Sequence, residues 1–462
     1  MVGASGLEPP TSASRTLRAN QTALRPVYLN YTQWRDEQQV AGDQLHQGTC
    51  VSLTLTDISY LGGAVGHLED GFAIFARGGL PGELVSVEIE EVRPRFARGV
   101  VVGVEGPAPE RVTPPCPYFG ACGGCQWQHL AYPAQLRWKE EILRRQLSRI
   151  GHLAELPIRP TIAAADPYAY RNHARFSVEP NGRLSFARFQ SHKRLAIDSC
   201  LIMQPAIVEV IEQLRGLALP AGPLSIRYGS RTGQLLIAPK LPAHVDEPIS
   251  GQSSYEEILG GRRYRVSAGS FFQVNTRLDQ RELPEAIRSR QSTERRGSFS
   301  QVDLLSMLVL DRLDVGANDF VVDVYSGVGT FSLLVADRVR RVIGIEESSV
   351  AVRDARHNAR ELDNVEFVEG RAENYLTELT ERPRAVVLDP ARSGCDRRVL
   401  HALVSYRPDT VVYVSCDPAT LARDLAFLVQ HDFEIEEIQP IDMFPQTHHI
   451  EVVAVLRSPR VD

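Results

Sequence analysis

The chain has 462 residues and a net charge of −6, with 43% hydrophobic and 23% charged side chains, a composition typical of an ordinary globular protein with two to four domains. It contains no stretch of about 18 uncharged apolar residues, and its first segment lacks the apolar core of a signal peptide, so neither a membrane span nor secretion is predicted. We therefore expect a cytoplasmic monomer, in which the seven cysteines are more typical of metal ligands, nucleophiles or core thiols than of disulfides.

The chain begins with an irregular stretch that is followed by a predicted barrel. Residues 1–43 are rich in Ser, Thr, Ala, Asn and Gln without periodicity, which predicts a disordered extension. Residues 44–106 contain short strand patterns between Gly-rich turns, at the spacing of a small OB-like β-barrel. Such barrels often bind RNA, but no ordered set of base-stacking aromatic residues stands out, so a purely structural barrel remains an alternative.

Three clustered cysteines open the predicted central domain, residues 107–262. Cys116, Cys122 and Cys125 have the spacing C-x5-C-x2-C in a Gly-rich loop, and Cys200 is a candidate fourth ligand. Thiolates suit zinc or an iron–sulfur cluster, and the spacing alone leaves both open. Buried structural cysteines are the alternative, which the Gly-rich loop disfavours.

The same central region is locally basic. Residues 126–195 contain twelve lysines and arginines but only five aspartates and glutamates. Guanidinium groups neutralise phosphates and aromatic faces stack on unpaired bases, so this mixture favours binding of single-stranded RNA, with a solvated face beside buried aromatic residues as the alternative. The interleaved aromatic residues are Tyr168, Tyr170, Phe176, Phe186 and Phe189.

From residue 263 to 462, strand and helix patterns alternate, which predicts a Rossmann-like α/β domain with a parallel sheet. The stretch FVVDVYSGVGTF predicts a strand, then Tyr325 and a glycine loop, and Glu346 ends the next strand about 20 residues later, where a ribose hydroxyl would be held. This loop is shorter than a dinucleotide loop and follows an aromatic residue, which favours S-adenosylmethionine. Asp389 of LDPARSG ends another strand, near the expected meeting point of substrate and cofactor, unless it serves only as a helix N-cap.

Two further residues are candidates for covalent and acid–base chemistry. Cys416 lies between the apolar run TVVYVS and the helical pattern PATLARDL, where the partial positive charge of a helix N-terminus lowers the pKa of a thiol. It is therefore predicted as a nucleophile, with a packing thiol as the alternative. Glu451 precedes the apolar strand VVAVL, where partial burial can tune a general base. His448 and His449 are predicted as helpers or surface groups.

Six motifs occur in an order that resembles one enzyme family. They are CPYFGACGGCQWQH, SFFQVN, DVYSGVGTFSL, LDPARSG, VSCDPATLARDL and DMFPQTHHIE. The set resembles the S-adenosylmethionine-dependent RNA uridine-C5 methyltransferases, specifically the large-subunit ribosomal RNA type with a TRAM domain, over roughly residues 44–458. The resemblance implies a TRAM barrel at 44–106, an iron–sulfur α+β domain at 107–262 and a class I methyltransferase domain at 263–462.

The resemblance also implies roles for individual residues. Cys416 falls on the nucleophile that adds to C6 of the uracil, and Glu451 on the proton acceptor. A [4Fe-4S] cluster is implied for Cys116, Cys122, Cys125 and Cys200. S-adenosylmethionine contacts are implied for Gln273, Tyr325, Glu346 and Asp389. The implied reaction forms 5-methyluridine in RNA, most naturally 23S ribosomal RNA, with transfer RNA as the alternative.

Two features depart from the family pattern. Asp417 stands where the family commonly has Asn, and its charge would raise the pKa of the Cys416 thiol if the carboxylate pointed inward, or would cap the following helix. An Arg-rich stretch at 277–300 lengthens one connection and is predicted to be a solvated insertion.

Two other protein classes fit the sequence less well. An RNA cytosine-C5 methyltransferase would carry a thiol after the proline of the Asp-Pro motif, where this chain has Ala391. A non-catalytic RNA-binding protein that carries a cluster or zinc would not need Cys416 and Glu451.

Overall fold

The computed structural model describes residues 42–245, 249–288 and 296–459. The disordered extension predicted for residues 1–43 therefore lies almost wholly outside the described residues. Within them, no helix has both the length and the apolar character needed to cross a membrane.

The predicted small barrel is confirmed. Alternate residues of its first strand, including Val51, Leu53 and Leu55, point inward and are buried. The five strands close in the order β1-β2-β3-β5-β4, so no strand edge stays unpaired. They are β1 Cys50–Ile58, β2 Ala64–His67, β3 Ala73–Arg77, β4 Leu84–Arg93 and β5 Phe96–Glu105.

The central region combines two helices with an antiparallel sheet, in the order β10-β9-β6-β7-β8. Its helices are α1 Tyr132–Gly151 and α2 Pro205–Leu214. Its strands are β6 His173–Val178, β7 Leu184–Ala187, β8 Arg194–Ala196, β9 Gly222–Tyr228 and β10 Leu235–Ala238. Ile207 and Val210 of α2 share one hydrophobic core with Phe176 and Ile226, so the helix covers one face of the sheet.

This packing changes the interpretation of the basic, aromatic-rich segment. Tyr170 and Phe176 are 1% and 3% exposed, and Phe176 stacks on Phe186 with ring centroids 4.8 Å apart. Base stacking by Tyr170 and Phe176 is therefore contradicted, because neither ring is available to RNA.

Two hairpins precede the main sheet. They are formed by β11 Ser254–Leu259 with β12 Arg262–Ser267, and by β13 Asp279–Glu282 with β14 Arg296–Phe299, while α3 Glu285–Arg288 lies within the second. The first hairpin spans the predicted domain boundary at 262/263.

The described part of the Arg-rich stretch is tied to the protein, which corrects the prediction of a solvated insertion. The guanidinium of Arg277 donates to Asp166 and Asp279 at 2.8 and 2.9 Å, and Arg281 donates to the Ala163 carbonyl at 2.8 Å. These two arginines serve packing between segments.

The predicted Rossmann-like domain is a seven-stranded sheet in the order β17-β16-β15-β18-β19-β21-β20. Its strands are β15 Phe320–Val324, β16 Arg341–Glu346, β17 Val365–Glu369, β18 Ala385–Leu388, β19 Thr410–Ser415, β20 Glu434–Ile441 and β21 Glu451–Arg457. Its helices are α4 Gln301–Arg312, α5 Thr330–Val335, α6 Ser349–Asn358, α7 Ala372–Tyr375, α8 Arg397–Tyr406 and α9 Pro418–Val429.

The strand pattern of this sheet sets the position of the candidate site. Strands β15 to β19 run parallel, whereas β21 is antiparallel to both β19 and β20. All residues of β15, β18 and β19 are buried, as expected for parallel strands covered on both faces. The carboxyl ends of the parallel strands and the start of β21 therefore meet at one edge.

A buried ion pair joins the central region to this sheet. Lys139 on α1 donates to Asp442 at 2.6 Å and to the Phe444 carbonyl at 3.0 Å, and both charged side chains are fully inaccessible. Asp442 also accepts from the Tyr132 hydroxyl at 2.9 Å. Since each partner is desolvated, losing either one would leave an uncompensated charge in the interior.

We predict that Lys139→Met lowers the free energy of unfolding by about 3–5 kcal/mol, because Asp442 would stay buried without its counter-ion. The matched control is Arg137→Met on the same helix, whose ion pair with Glu110 is exposed and contributes about 0–1 kcal/mol. Urea denaturation followed by circular dichroism measures both. Equal losses in the two variants would contradict the assigned importance of the buried pair.

Candidate active site

A cavity of about 1180 Å³ lies at the carboxyl edge of the parallel sheet and extends to the central domain. It brings together all ten residues for which the sequence predicts a catalytic, cofactor-binding or metal-binding role. They are Cys116, Cys122, Cys125, Cys200, Gln273, Tyr325, Glu346, Asp389, Cys416 and Glu451. Residues up to 335 positions apart in the chain thus line one cavity, because the central domain and the Rossmann-like domain both contribute to its lining.

Cys416 occupies the joint between β19 and α9 and is partly buried. Burial, with a smaller contribution from the nearby carboxyl of Glu451, raises the pKa of its thiol to about 12. The pKa of this thiol is therefore raised and not lowered as expected at a helix N-terminus, and burial is the largest cause.

Asp417 caps α9 and does not point at the thiol. Its Oδ1 accepts from the backbone N–H groups of Ala419 and Thr420, both at 3.0 Å, and its other carboxylate oxygen accepts from the Tyr60 hydroxyl of the barrel. Of the two roles predicted for Asp417, helix capping is therefore the one observed, since the carboxylate accepts hydrogen bonds from donors on the helix and the barrel.

Arg392 is a site residue that the sequence analysis did not single out. It lines the cavity, and its guanidinium charge opposes the rise of the Cys416 thiol's pKa. It also lies 3.4 Å from the ring nitrogens of His449. The sequence does contain a signal for this residue, because Arg392 lies two residues after Pro390, inside the LDPARSG motif.

Glu451 is the first residue of β21 and is 3% exposed. Ser415 pairs with Val452 across the antiparallel strands, so the next residues outward, Cys416 and Glu451, end side by side. Burial holds the pKa of the Glu451 carboxyl well above its ordinary value, the charge of Asp389 adds to this, and Arg392 opposes it. A carboxylate with such a raised proton affinity is a stronger base.

The neighbouring histidines are not surface groups, which corrects that part of the prediction. Both are half-buried, His449 lines the cavity, and His448 Nδ1 lies 3.1 Å from Gln126 Oε1. Burial and nearby cations lower the pKa of His448 to about 4 and that of His449 to about 3, so both are neutral at physiological pH.

The cofactor side of the cavity is formed by the ends of β15, β16 and β18. Glu346 accepts from the backbone N–H of Gly327 at 3.0 Å and of Ser348 at 2.8 Å, which fixes its carboxylate at the glycine loop. Gly327 has φ +56°, and no atom of the described chain lies within 4 Å of where a Cβ would stand. The loop therefore leaves open space beside an acidic hydrogen-bond acceptor, as a nucleoside requires.

Gln273 and Asp389 form the other part of this side. The amide of Gln273 donates to Asp389 at 3.3 Å. Burial and the neighbouring charge of Asp323 raise the pKa of Asp389 to about 7. The acidic lining and the open glycine loop fit S-adenosylmethionine, whose sulfonium and ammonium groups are cationic.

Phe271, two residues before Gln273, is a second site residue that was not anticipated. It lines the cavity although it is 64% exposed, whereas its neighbour Phe272 is 5% exposed. An exposed ring beside a polar cavity offers a face on which an unpaired base can stack.

The four cysteines of the central region lie along one part of the cavity. Burial raises the pKa of each thiol, to about 12 for Cys125 and about 11 for Cys200, and the charges of the neighbouring thiols contribute to both shifts. In the described ranges, however, no group of three or more His, Cys, Asp or Glu side chains is arranged to hold a metal ion. The predicted cluster is therefore not confirmed, although all four cysteines line the same cavity.

Comparisons with known proteins agree with this geometry. The family model described as tRNA (Uracil-5-)-methyltransferase matches residues 302–458, and the TRAM domain model matches residues 44–102. Two curated relatives, from Halalkalibacterium halodurans and Gloeobacter violaceus, are named uncharacterized RNA methyltransferases. Each is 32% identical to this chain over 89% of its length and over 98% and 97% of their own lengths.

A solved structure has the same fold. It is the tRNA (uracil-54, C5)-methyltransferase of Pyrococcus abyssi in complex with S-adenosyl-L-homocysteine, with a TM-score of 0.64 and 24% identity over 88% of this chain and 100% of that one. The family model covers the catalytic sheet, and the curated relatives match 89% of the chain. The chain therefore belongs to the S-adenosylmethionine-dependent RNA (uracil-C5)-methyltransferase family.

Proposed function

We propose that this protein methylates C5 of a uridine in RNA through a covalent adduct with Cys416 and so forms 5-methyluridine. The observation that carries the proposal is the adjacency of Cys416, Arg392 and Glu451 in one cavity with the cofactor-side carboxylates. A nucleophile, a cation that stabilises its anion and a base are the groups that this reaction needs.

The first step uses Cys416 and Arg392. C5 of uracil is too electron-poor to accept a methyl group directly, so the thiolate adds to C6 and the displaced electron pair makes C5 nucleophilic as an enolate. Because burial raises the pKa of the thiol to about 12, the guanidinium of Arg392 is needed to stabilise the thiolate.

The later steps use Glu451. S-adenosylmethionine supplies an electrophilic methyl group when it is bound, and Gln273, Tyr325, Glu346 and Asp389 are the residues that would hold it. After methylation, C5 carries both the methyl group and its original proton. The Glu451 carboxylate removes that proton, the C5=C6 bond re-forms and the C6–S bond breaks, which returns Cys416 as a thiolate.

The proposed RNA target is 23S ribosomal RNA, with transfer RNA as the alternative. The resemblance of the motifs to the large-subunit type supports the first. The second has specific support, since the matching family model is described as acting on tRNA and the similar solved structure is a tRNA enzyme. The relatives that match 89% of the chain are named RNA methyltransferases without a stated RNA.

We also propose that Cys116, Cys122, Cys125 and Cys200 hold a [4Fe-4S] cluster. In such a cluster each iron binds one thiolate, so its ligands surround a larger object than a single ion and stand farther apart than the ligands of zinc. The convergence of four thiols on one stretch of the cavity supports this.

For the cluster, we predict that protein purified without oxygen is brown and contains about four iron and four sulfide per chain. The Cys125→Ser variant would lose the colour and most of the iron. The control variant Cys50→Ser, which replaces an exposed cysteine of the barrel, would keep both. A colourless wild-type protein with one zinc per chain would contradict the cluster.

For the covalent step, we predict that RNA containing 5-fluorouridine forms a stable adduct with the wild-type protein in the presence of S-adenosylmethionine, because the C5 fluorine cannot be removed as a proton. Cys416→Ala would form no adduct on denaturing gels, and the control Cys50→Ala would form it normally. With ordinary RNA, Glu451→Gln would accumulate the adduct, since the C5 proton stays in place.

The same gel identifies the RNA when separate transcripts of 23S ribosomal RNA and transfer RNA are compared. Trapping of transfer RNA alone would replace the proposed target by the alternative. An adduct that persists in Cys416→Ala would exclude this residue as the nucleophile.

For the pH dependence, we predict that Arg392→Gln moves the rising limb of kcat against pH to higher pH. The reactive form is the thiolate, so its fraction increases with pH, and removal of the cation raises the thiol pKa further. A shift of about one pH unit corresponds to about a tenfold loss of kcat below the limb. Arg392→Lys keeps the charge and would shift the limb less.

The matched control for this prediction is Asp417→Asn. Because Asp417 caps α9 and Asn can cap as well, this change leaves the limb in place. A downward shift in Asp417→Asn as large as the upward shift in Arg392→Gln would show that the Asp417 carboxylate, against its observed contacts, acts on the thiol.

A further inference from the structure

The sheet of the central domain has one face covered by α2 and one face turned to the cavity. Ala174, Phe176 and Ile226 belong to the buried core beneath α2. The alternating residues of the same strands therefore lie on the other face. The register pairs His173 with Arg227 and Arg175 with Ser225 on that face, and Ala187 with Arg194 at the far strands.

This cavity-facing surface is strongly basic. We call it the arginine face and define it as Arg171, Arg175, Arg194 and Arg227, all of which line the cavity. Among the residues that the structure describes, none of the four guanidinium groups forms an ion pair with a carboxylate. By contrast, Arg183 and Arg215 of the same domain each lie within 4 Å of Asp198, at 3.9 and 3.8 Å.

One member of the arginine face is buried with an unsatisfied donor. Arg227 is 3% exposed, its Nη2 donates to the Ala268 carbonyl at 3.3 Å, and its Nε has no hydrogen-bond partner in the described chain. The charge of Asp354 acts on Arg227 favourably but without an ion-pair contact. Burial of a cation that no carboxylate contacts is costly, so an anion that enters the cavity beside it would be stabilised.

The members of the face are close enough to act together. Besides burial, the charges of Arg227, Arg175 and Arg171 lower the pKa of His173 to about 3, which keeps this histidine neutral among them. The charge of Arg171 also contributes to the lowered pKa of His449 beside the active site. The arginine face is thus within electrostatic range of the nucleophile's surroundings.

The charge distribution within the cavity distinguishes between two possible anions. The carboxylates Glu346, Asp389 and Glu451 lie on the catalytic side, where they suit a cationic methyl donor, and the arginines lie on the opposite side. The single carboxylate of S-adenosylmethionine would need one arginine, whereas four unpaired arginines spread over several strands match the repeated charges of a nucleic-acid backbone.

We propose that Arg171, Arg175, Arg194 and Arg227 bind consecutive backbone phosphates of the RNA strand that carries the target uridine, so that the base enters the cavity toward Cys416. This inference rests on the proposed function. The face also offers no fixed base-edge pattern, so it positions the strand without reading its sequence.

The test measures how RNA affinity depends on salt. Arg175→Gln and Arg194→Gln are suitable variants because both side chains are exposed and their removal leaves the core intact. The matched control is Arg215→Gln, at the end of α2 on the covered side of the sheet. The probe is a fluorescein-labelled oligouridine of about 15 nucleotides, a length near the upper end of the site size of one small domain.

The slope of log Kd against log salt is expected to fall by about 0.7 for each phosphate that a variant no longer neutralises, and by about twice that in the double variant. The control Arg215→Gln would keep the wild-type slope. The KM for S-adenosylmethionine would not change in any of these variants. Wild-type slopes in both variants would overturn the proposal. A raised KM for S-adenosylmethionine with an unchanged slope would also overturn it and would assign the arginines to the methionine carboxylate.

The failure of this inference can be told apart from failure of the proposed function. If the wild-type protein traps 5-fluorouridine RNA but the arginine variants bind RNA with the wild-type slope, only the arginine face is wrong. If the slopes fall as expected while the wild-type protein forms no adduct, the phosphate site stands and the covalent mechanism fails.

Discussion

The position of the catalytic base depends on how the central domain holds the segment between β20 and β21. This segment, residues 442–450, has little regular structure of its own, yet Glu451 follows it directly. Lys139 pairs with Asp442 at its start, and the amide of Gln135 exchanges hydrogen bonds with the backbone and side chain of Gln446 at 3.0 Å. Because these contacts are buried, the segment is fixed by α1, and the two domains cannot separate without exposing a charge.

The barrel is attached to the same place. The indole of Trp127 donates to the Gly62 carbonyl at 2.9 Å, and a Cβ at Gly62 would lie 2.7 Å from that of His448. With φ +85° and no space for a side chain, this position requires glycine. Together with the contact between Tyr60 and the cap of α9, it brings the barrel loop to the helix that follows Cys416. RNA bound to the barrel would therefore lie next to the reacting groups.

The sequence was informative wherever a local pattern determines position. Buried apolar runs end at Asp389 and just before Cys416, and parallel strands bring such ends to one edge, so both residues could be placed before the structure was known. The burial of Tyr170 could not, because it depends on contacts with residues such as Pro445, 275 positions away. The same holds for Asp417, whose two roles differ only in side-chain direction. It also holds for the pKa of Cys416, which is raised mainly by burial, because burial depends on segments distant in the sequence.

The electrostatics of the cavity prepare it for two ligands of opposite charge. On the catalytic side, burial raises the carboxyl pKa values, to about 7 for Asp389 and well above the ordinary value for Glu451, so these groups avoid part of the cost of buried charge by binding protons. A cation beside them would favour the ionised form that a base requires. Arginines cannot lose their charge in this way, because a guanidinium stays protonated at physiological pH. The arginine face therefore keeps its charge until an anion arrives, and the binding of an RNA backbone there would offset the cost that burial imposes on Arg227.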